Sequence, residues 1–84
     1  SQLLARRSAA EKLAAFLLEL AERHQDGAMV ELAMTRQDIG DYLGLTIETV
    51  SRTVSQFERD GVIALPATRR VRLKNLAALR ALCS

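Results

Sequence analysis

One cysteine, one histidine, no acidic residue after position 60 and no long apolar run: the shortages of this 84-residue chain exclude whole classes of function. A single thiol, Cys83, cannot close an internal disulfide or supply a four-cysteine metal or iron–sulfur site. Beside the C-terminus it reads as an uninvolved side chain of a terminal helix. His24 reads as the basic residue that closes the first helix, where its charge suits the helix dipole. These two residues lie on different elements, and no nucleophile–base pair or phosphate-cradling loop is visible, so an enzyme has no support. No catalytic residue, metal ligand or cofactor is expected. Arg, Glu and Lys interrupt every hydrophobic segment well short of the roughly 18 to 20 residues that cross a bilayer. The start, SQLLARRSAAEKLAAF, has neither the uninterrupted apolar centre nor the cleavage pattern of a signal peptide. The expectation is a cytoplasmic protein with no membrane partner. There is also no internal repeat, no low-complexity tract and no interdomain linker.

What is present fits one small domain, just long enough to bury a single core. Apolar residues make up 49% and charged residues 26%, ordinary values for a globular fold. The net charge of +2 hides an asymmetry. Residues 1–60 hold seven Lys/Arg against ten Asp/Glu, a balance of −3, whereas residues 61–84 hold five Lys/Arg and no acid, a balance of +5. The basic last third is a candidate contact zone for a polyanion, or equally a solvated surface.

Along the chain, SAAEKLAAFLLELAERHQDG reads as a helix. Ser8 and Glu11 make a capping box, Leu13, Phe16, Leu17 and Leu20 follow helical spacing, and Gly27 supplies a stop. MVELAM, residues 29–34, is a strand or an extended segment. TRQDIGDYLG starts a second, short helix with Thr35 as cap and Asp38 at the capping-box position, presents Ile39, Tyr42 and Leu43 on one side, and ends at Gly44. Thr46 caps a third helix in which Ile47, Val50, Val54 and Phe57 form a core-facing stripe, with Gly61 as terminator. Two short helices joined by a tight turn containing Gly are the sequence form of a helix-turn-helix. VIAL and RRVRL then change the period to two, with Pro66, Ala67 and Thr68 as the turn of a hairpin. In the second run Val71 and Leu73 would share one face, and Arg70, Arg72 and Lys74 the other. Asn75 caps a terminal helix, NLAALRALC. The expected fold is mainly α, a winged helix-turn-helix with a three-helix core, a small β-hairpin wing and a C-terminal helix. The helix-turn-helix is placed at about 35–60 and the wing at about 62–73 of a single domain spanning 1–84.

The third helix has an unusual polar face. At about 100° per residue, Glu48, Arg52, Ser55 and Arg59 fall in one axial row opposite the apolar stripe, with Ser51 beside it. In a helix-turn-helix the second helix enters the major groove and its N-terminal residues meet base edges. Arg donates to guanine O6 and N7, Glu accepts from cytosine N4, and Ser serves either role or approaches a thymine methyl. Glu48, Ser51 and Arg52 are therefore the candidate base readers. Glu48 and Arg52 also stand at the i, i+4 spacing of a surface ion pair worth roughly 0.2 to 0.5 kcal/mol, which would pre-orient the arginine. Thr35, Arg36 and Gln37 open the first helix of the motif, where free N–H groups and the dipole favour a phosphate. Thr46 and Thr49 open the second helix similarly, and Ser55 lies further along its row. On the hairpin, Arg69, Arg70 and Arg72 either follow a phosphate backbone or form a solvated wing.

The stretch MTRQDIGDYLGLTIETVSR resembles the DNA-binding domain of the CRP/FNR superfamily of bacterial transcription regulators, closest to its FNR and FixK branches. AEKLAAFLLEL resembles the helix before the motif in those proteins, and GVIALPATRRVRL resembles their wing, so the likeness covers nearly the whole chain. It implies that Glu48, Ser51 and Arg52 are the E-x-x-S-R readers of palindromes with TTGAT-type half-sites. Arg52 would take the guanine, Glu48 the cytosine paired near it and Ser51 a thymine. Ile47 and Ser51 stand where the CRP branch has Arg and Gly, which favours FNR-type specificity. Arg36, Gln37, Thr46 and Thr49 match phosphate-contacting positions, whereas Pro66, Ala67 and Thr68 replace the common Gly-Lys type of wing turn. The resemblance further implies an excised C-terminal part of a longer regulator, SQLLARR being the tail of its hinge region. That regulator would be a homodimer, with double-stranded DNA and RNA polymerase as partners.

Two other functions compete. A winged-helix protein-interaction module would need an exposed apolar patch on the recognition helix, where Glu48, Ser51, Arg52, Ser55 and Arg59 give a polar one. An enzyme lacks the residues described above.

Overall fold

The computed structural model describes residues 7–23 and 28–84. Among these residues seven elements follow in order: α1 (Ala9–Glu22), β1 (Met29–Glu31), α2 (Arg36–Leu43), α3 (Ile47–Arg59), β2 (Ile63–Ala67), β3 (Arg70–Leu73) and α4 (Leu76–Cys83). Local chemistry sets the helix starts. At the head of α1 the Ser8 hydroxyl accepts from the Glu11 N–H while the Glu11 carboxylate accepts from the Ser8 N–H, and Thr35 and Asp38 repeat the exchange before α2. The Ser8 N–H holds the Glu11 carboxyl below the usual glutamate range. Thr46 and Asn75 cap α3 and α4 through single side-chain acceptors. The last residue of α1 is Glu22, with Arg23 at its C-cap. His24 and Gly27, expected to close this helix, lie outside the described residues, as does the expected hinge tail up to Arg6.

Each element sends apolar side chains into one core. Leu13, Phe16 and Leu17 of α1, Ile39 of α2, Val50, Val54 and Phe57 of α3, the three strands and Leu79 of α4 are all buried. No buried side-chain nitrogen or oxygen among the described residues lacks a partner. Two expected core residues are exceptions. Tyr42 is 64% exposed: its ring rests at 54° against Phe16, centroids 5.7 Å apart, and the rest faces solvent. Ile47, the first residue of α3, is 38% exposed, so the buried stripe begins at Val50.

The segment at 29–31 is a strand, and it completes an antiparallel three-stranded sheet of order β1-β3-β2. Val30 faces Val71, and Glu31 faces Arg70, in the β1–β3 register. Val71 and Leu73 are buried while Arg70, Arg72 and Lys74 are exposed, the alternation expected of the second hairpin run. The hairpin turn differs from expectation. Pro66 and Ala67 belong to β2, and the turn is Thr68 and Arg69. Ala64 pairs with Arg72 but Ala67 with Arg70, so Leu65 and Pro66 oppose Val71 alone in a bulge. A bulge accommodates a proline because the ladder asks no N–H of it there.

Candidate nucleic-acid interface

The seating of α3 on α2 fixes what the molecule presents outward. Gly44 ends α2 in the left-handed region at φ 74°, which only glycine adopts freely, and its N–H donates to the Gly40 carbonyl. The Leu45 N–H bonds the same carbonyl at 2.8 Å. This brings the Leu45 carbonyl oxygen so close to Gly40 that a Cβ there would stand 2.5 Å from it. Gly40 is thus a requirement of the turn that the motif reading passed over. Its signal was present: a glycine in a helix interior costs about 1 kcal/mol relative to alanine, and so marks a close approach. From the other side, Lys12 Nζ of α1 donates to the Leu43 carbonyl at 3.2 Å, placing a cation at the C-terminal end of α2.

On α3, burial of Val50, Val54 and Phe57 turns Glu48, Arg52, Ser55 and Arg59 outward, with Ser51 half-buried beside them. The three expected readers therefore lie together on the free side of the helix start. Their internal bonding differs from expectation. Among the described residues no ion pair joins Glu48 to Arg52; instead Arg52 Nη2 donates to Thr49 Oγ1 at 3.3 Å. Thr49 Oγ1 also accepts from the Thr46 hydroxyl at 2.9 Å, and Thr46 Oγ1 accepts from the Thr49 N–H at 3.1 Å. The spacing i, i+4 permits the ion pair, but in water such a pair is worth little, and a hydroxyl three residues back competes with it. Further along, Arg59 Nη2 donates to Gln56 Oε1 at 2.8 Å and Gln56 Nε2 to Asp60 Oδ1 at 2.9 Å. Ser55, between these two groups, is exposed.

Apart from Ser55, midway along α3, the expected phosphate contacts cluster around two helix starts and the wing. Thr35 Oγ1 accepts from the Asp38 N–H in its capping box, which leaves the hydroxyl proton free to donate, and Gln37 Nε2 donates to Asp41 Oδ1 at 3.1 Å. Arg36 is half-buried: it lines an apolar pocket with Leu17, Leu32 and Ile39, so its stem is packed, and its guanidinium has no hydrogen-bond partner among the described residues. Arg70 Nη2 meets Glu31 Oε1 at 3.4 Å in an ion pair whose members are both mostly exposed. Such a pair contributes about 0 to 1 kcal/mol and is readily exchanged. Sheet pairing adds a juxtaposition that sequence reasoning missed. The Leu32 N–H donates to the Arg69 carbonyl at 2.7 Å and Arg69 Nη1 to the Ala33 carbonyl at 3.4 Å, which fastens the wing tip to the segment leading into α2. Thr35, Arg36, Thr68 and Arg69 consequently border one cleft. The β1–β3 pairing joins residues about forty positions apart, a distance over which local patterns carry no signal.

Residues 11–82 match the family described as the Crp-like helix-turn-helix domain. The chain belongs to this family. Over 98% of its length it is 52% identical to the nitrogen fixation regulation protein FixK of Azorhizobium caulinodans, of which the match covers 35%. It is 46% identical to the transcriptional activator protein FnrL of Cereibacter sphaeroides, over 92% of this chain and 34% of that one. The structure of FixK2 from Bradyrhizobium japonicum superposes with a TM-score of 0.89 at 45% identity, covering 98% of this chain and 41% of that one. These likenesses place the chain in the FixK-like branch of the CRP/FNR superfamily. They also bear out the mainly α winged helix-turn-helix as its fold. The chain spans about a third of the length of the curated relatives it matches. Those relatives are regulators rather than enzymes.

Proposed function

We propose that this domain binds duplex DNA sequence-specifically, as the output domain of a longer bacterial transcription regulator acting in the cytoplasm. One observation carries the reading: Glu48, Ser51 and Arg52 lie together on the free side of a helix start whose opposite side is locked into the core, and the Glu48 carboxylate has no partner among the described residues. A helix so mounted enters a major groove with its first turns against base edges. Arg52 then donates to guanine O6 and N7, Glu48 accepts from a cytosine N4, and Ser51 meets a thymine, within TTGAT-type half-sites of a palindrome.

Thr35, Arg36, Gln37, Thr46, Thr49, Ser55 and Arg70 hold the flanking phosphates, the first five at helix starts where N–H groups and the dipole favour an anion. Arg70 exchanges Glu31 for a phosphate at little cost, since the pair is exposed. A symmetric operator implies two copies about one helical turn apart, hence a homodimer of the longer protein, with RNA polymerase as a further partner. The domain itself holds no cofactor in this reading.

A fluorescence-anisotropy titration tests it. At two salt concentrations, the chain is titrated into a TTGAT-N4-ATCAA duplex and into one with both G·C pairs replaced. Tighter binding to the first is the expected result. Equal, salt-sensitive binding to both would reduce the interface to a basic surface, and no binding at either salt would favour a protein-interaction module or a requirement for the second copy that the dimer of the longer protein supplies.

A further inference from the structure

We infer that Thr49 is a positioning residue for base reading: its hydroxyl holds the Arg52 guanidinium in place before DNA arrives. This rests on the DNA-binding reading above. Arg52 Nη2 lies 3.3 Å from Thr49 Oγ1. That oxygen is itself anchored, because the Thr46 hydroxyl donates to it at 2.9 Å while accepting the Thr49 N–H at 3.1 Å. Thr46 is the N-cap of α3, so Arg52 is tied through two hydroxyls to the best-fixed point of the helix start. Thr49 is β-branched and half-buried, which limits its rotamers and makes it a stiff anchor.

The choice of partner has chemical consequences. A guanidinium carries five N–H donors, so one hydrogen bond to Thr49 leaves four, enough for a two-point contact with guanine. A hydroxyl also leaves the full positive charge unneutralised, which an ion pair with Glu48 would not. The same choice frees the Glu48 carboxylate to accept from a cytosine. An arginine loose in solvent must be ordered on binding, and ordering such a side chain lowers affinity. A tether set during folding removes part of that loss, and only on duplexes where Arg52 finds its guanine.

The test titrates Thr49→Val, Thr49→Ser and the parent chain against the two duplexes at both salts. Thr49→Val, without the hydroxyl, is expected to narrow the preference for the G·C-containing duplex by about two- to tenfold. Thr49→Ser, which retains the hydroxyl, is expected to keep the parent preference. If Thr49→Val fails to fold, Thr49→Ala removes the same hydroxyl with a better helix former. An equal loss on both duplexes with a shallower salt slope would make Thr49 a phosphate contact alone and overturn the inference. So would an unchanged preference in the hydroxyl-free variants. A parent chain with no preference overturns the DNA reading itself, and is seen before any variant is made.

Discussion

The two halves of α3 share one polar face and use it differently. In the first half Glu48 is unpartnered among the described residues and Arg52 is tethered only to a neutral hydroxyl, so both keep their charge available. In the second half Arg59, Gln56 and Asp60 satisfy one another in a chain of short bonds. Composition does not separate the halves, since each offers an arginine, a serine and an acid. The difference lies in who bonds whom. A charge left uncommitted at a helix start, beside free N–H groups, is poised for an external partner; a charge absorbed by its own helix is serving the helix.

The largest change to this contrast should come from Gly40→Ala. The added Cβ would meet the Leu45 carbonyl oxygen, a backbone atom that cannot move without shifting the start of α3. A loss on the order of 1 to 3 kcal/mol in stability is expected, with binding reduced on every duplex, measured by thermal melting and anisotropy. Retained stability and binding would show that the close turn does not seat the first half.

Arg52→Ala should cost on the order of 1 to 3 kcal/mol on the cognate duplex and flatten discrimination at the guanine, with little change on random DNA. Arg59→Ala, by contrast, should stay within about 0.5 kcal/mol on both. Equal effects of the two substitutions would erase the distinction between the halves. Arg36→Ala should weaken all sequences alike and reduce the salt slope by about one, as for a single phosphate contact. An unchanged slope would return Arg36 to the solvated surface.

The smallest effect concerns a charge wholly absorbed by its own helix, Glu11. Hydrogen bonding from Ser8 lowers its pKa, so its stabilisation of α1 is complete above the ordinary glutamate range and is lost as pH falls through the lowered value. Glu11→Gln should therefore melt slightly below the parent near neutral pH and converge with it in acid. A gap that persists in acid would mean that the charge contributes nothing.

Sequence reasoning succeeded where the physics is local. Capping boxes at Ser8 and Thr35, the caps at Thr46 and Asn75, and the stops at Gly44 and Gly61 are exchanges within a few residues, so they can be read from spacing alone. The buried stripe was legible for the same reason, except at its first position. Ile47 has the right phase, but phase does not say how far along a helix the neighbouring layer extends. Tyr42 shows the same limit on α2. At the hairpin, Pro66, Ala67 and Thr68 are the expected turn, yet the bulge carries β2 on to Ala67 and leaves Thr68 and Arg69 as the turn, because register is decided by which side chains the sheet buries.

By itself, then, the sequence determined the element order, the helix limits set by caps, and the face on which Glu48, Ser51 and Arg52 lie, all consequences of backbone hydrogen bonding and helical period. Only the tertiary structure decided the rest. It paired β1 with β3 and so fastened the wing tip beside Thr35 and Arg36, and it made Gly40 indispensable to the turn. Each of those outcomes is a choice among partners that sequence spacing allows equally, and only the packed positions of the atoms rank them.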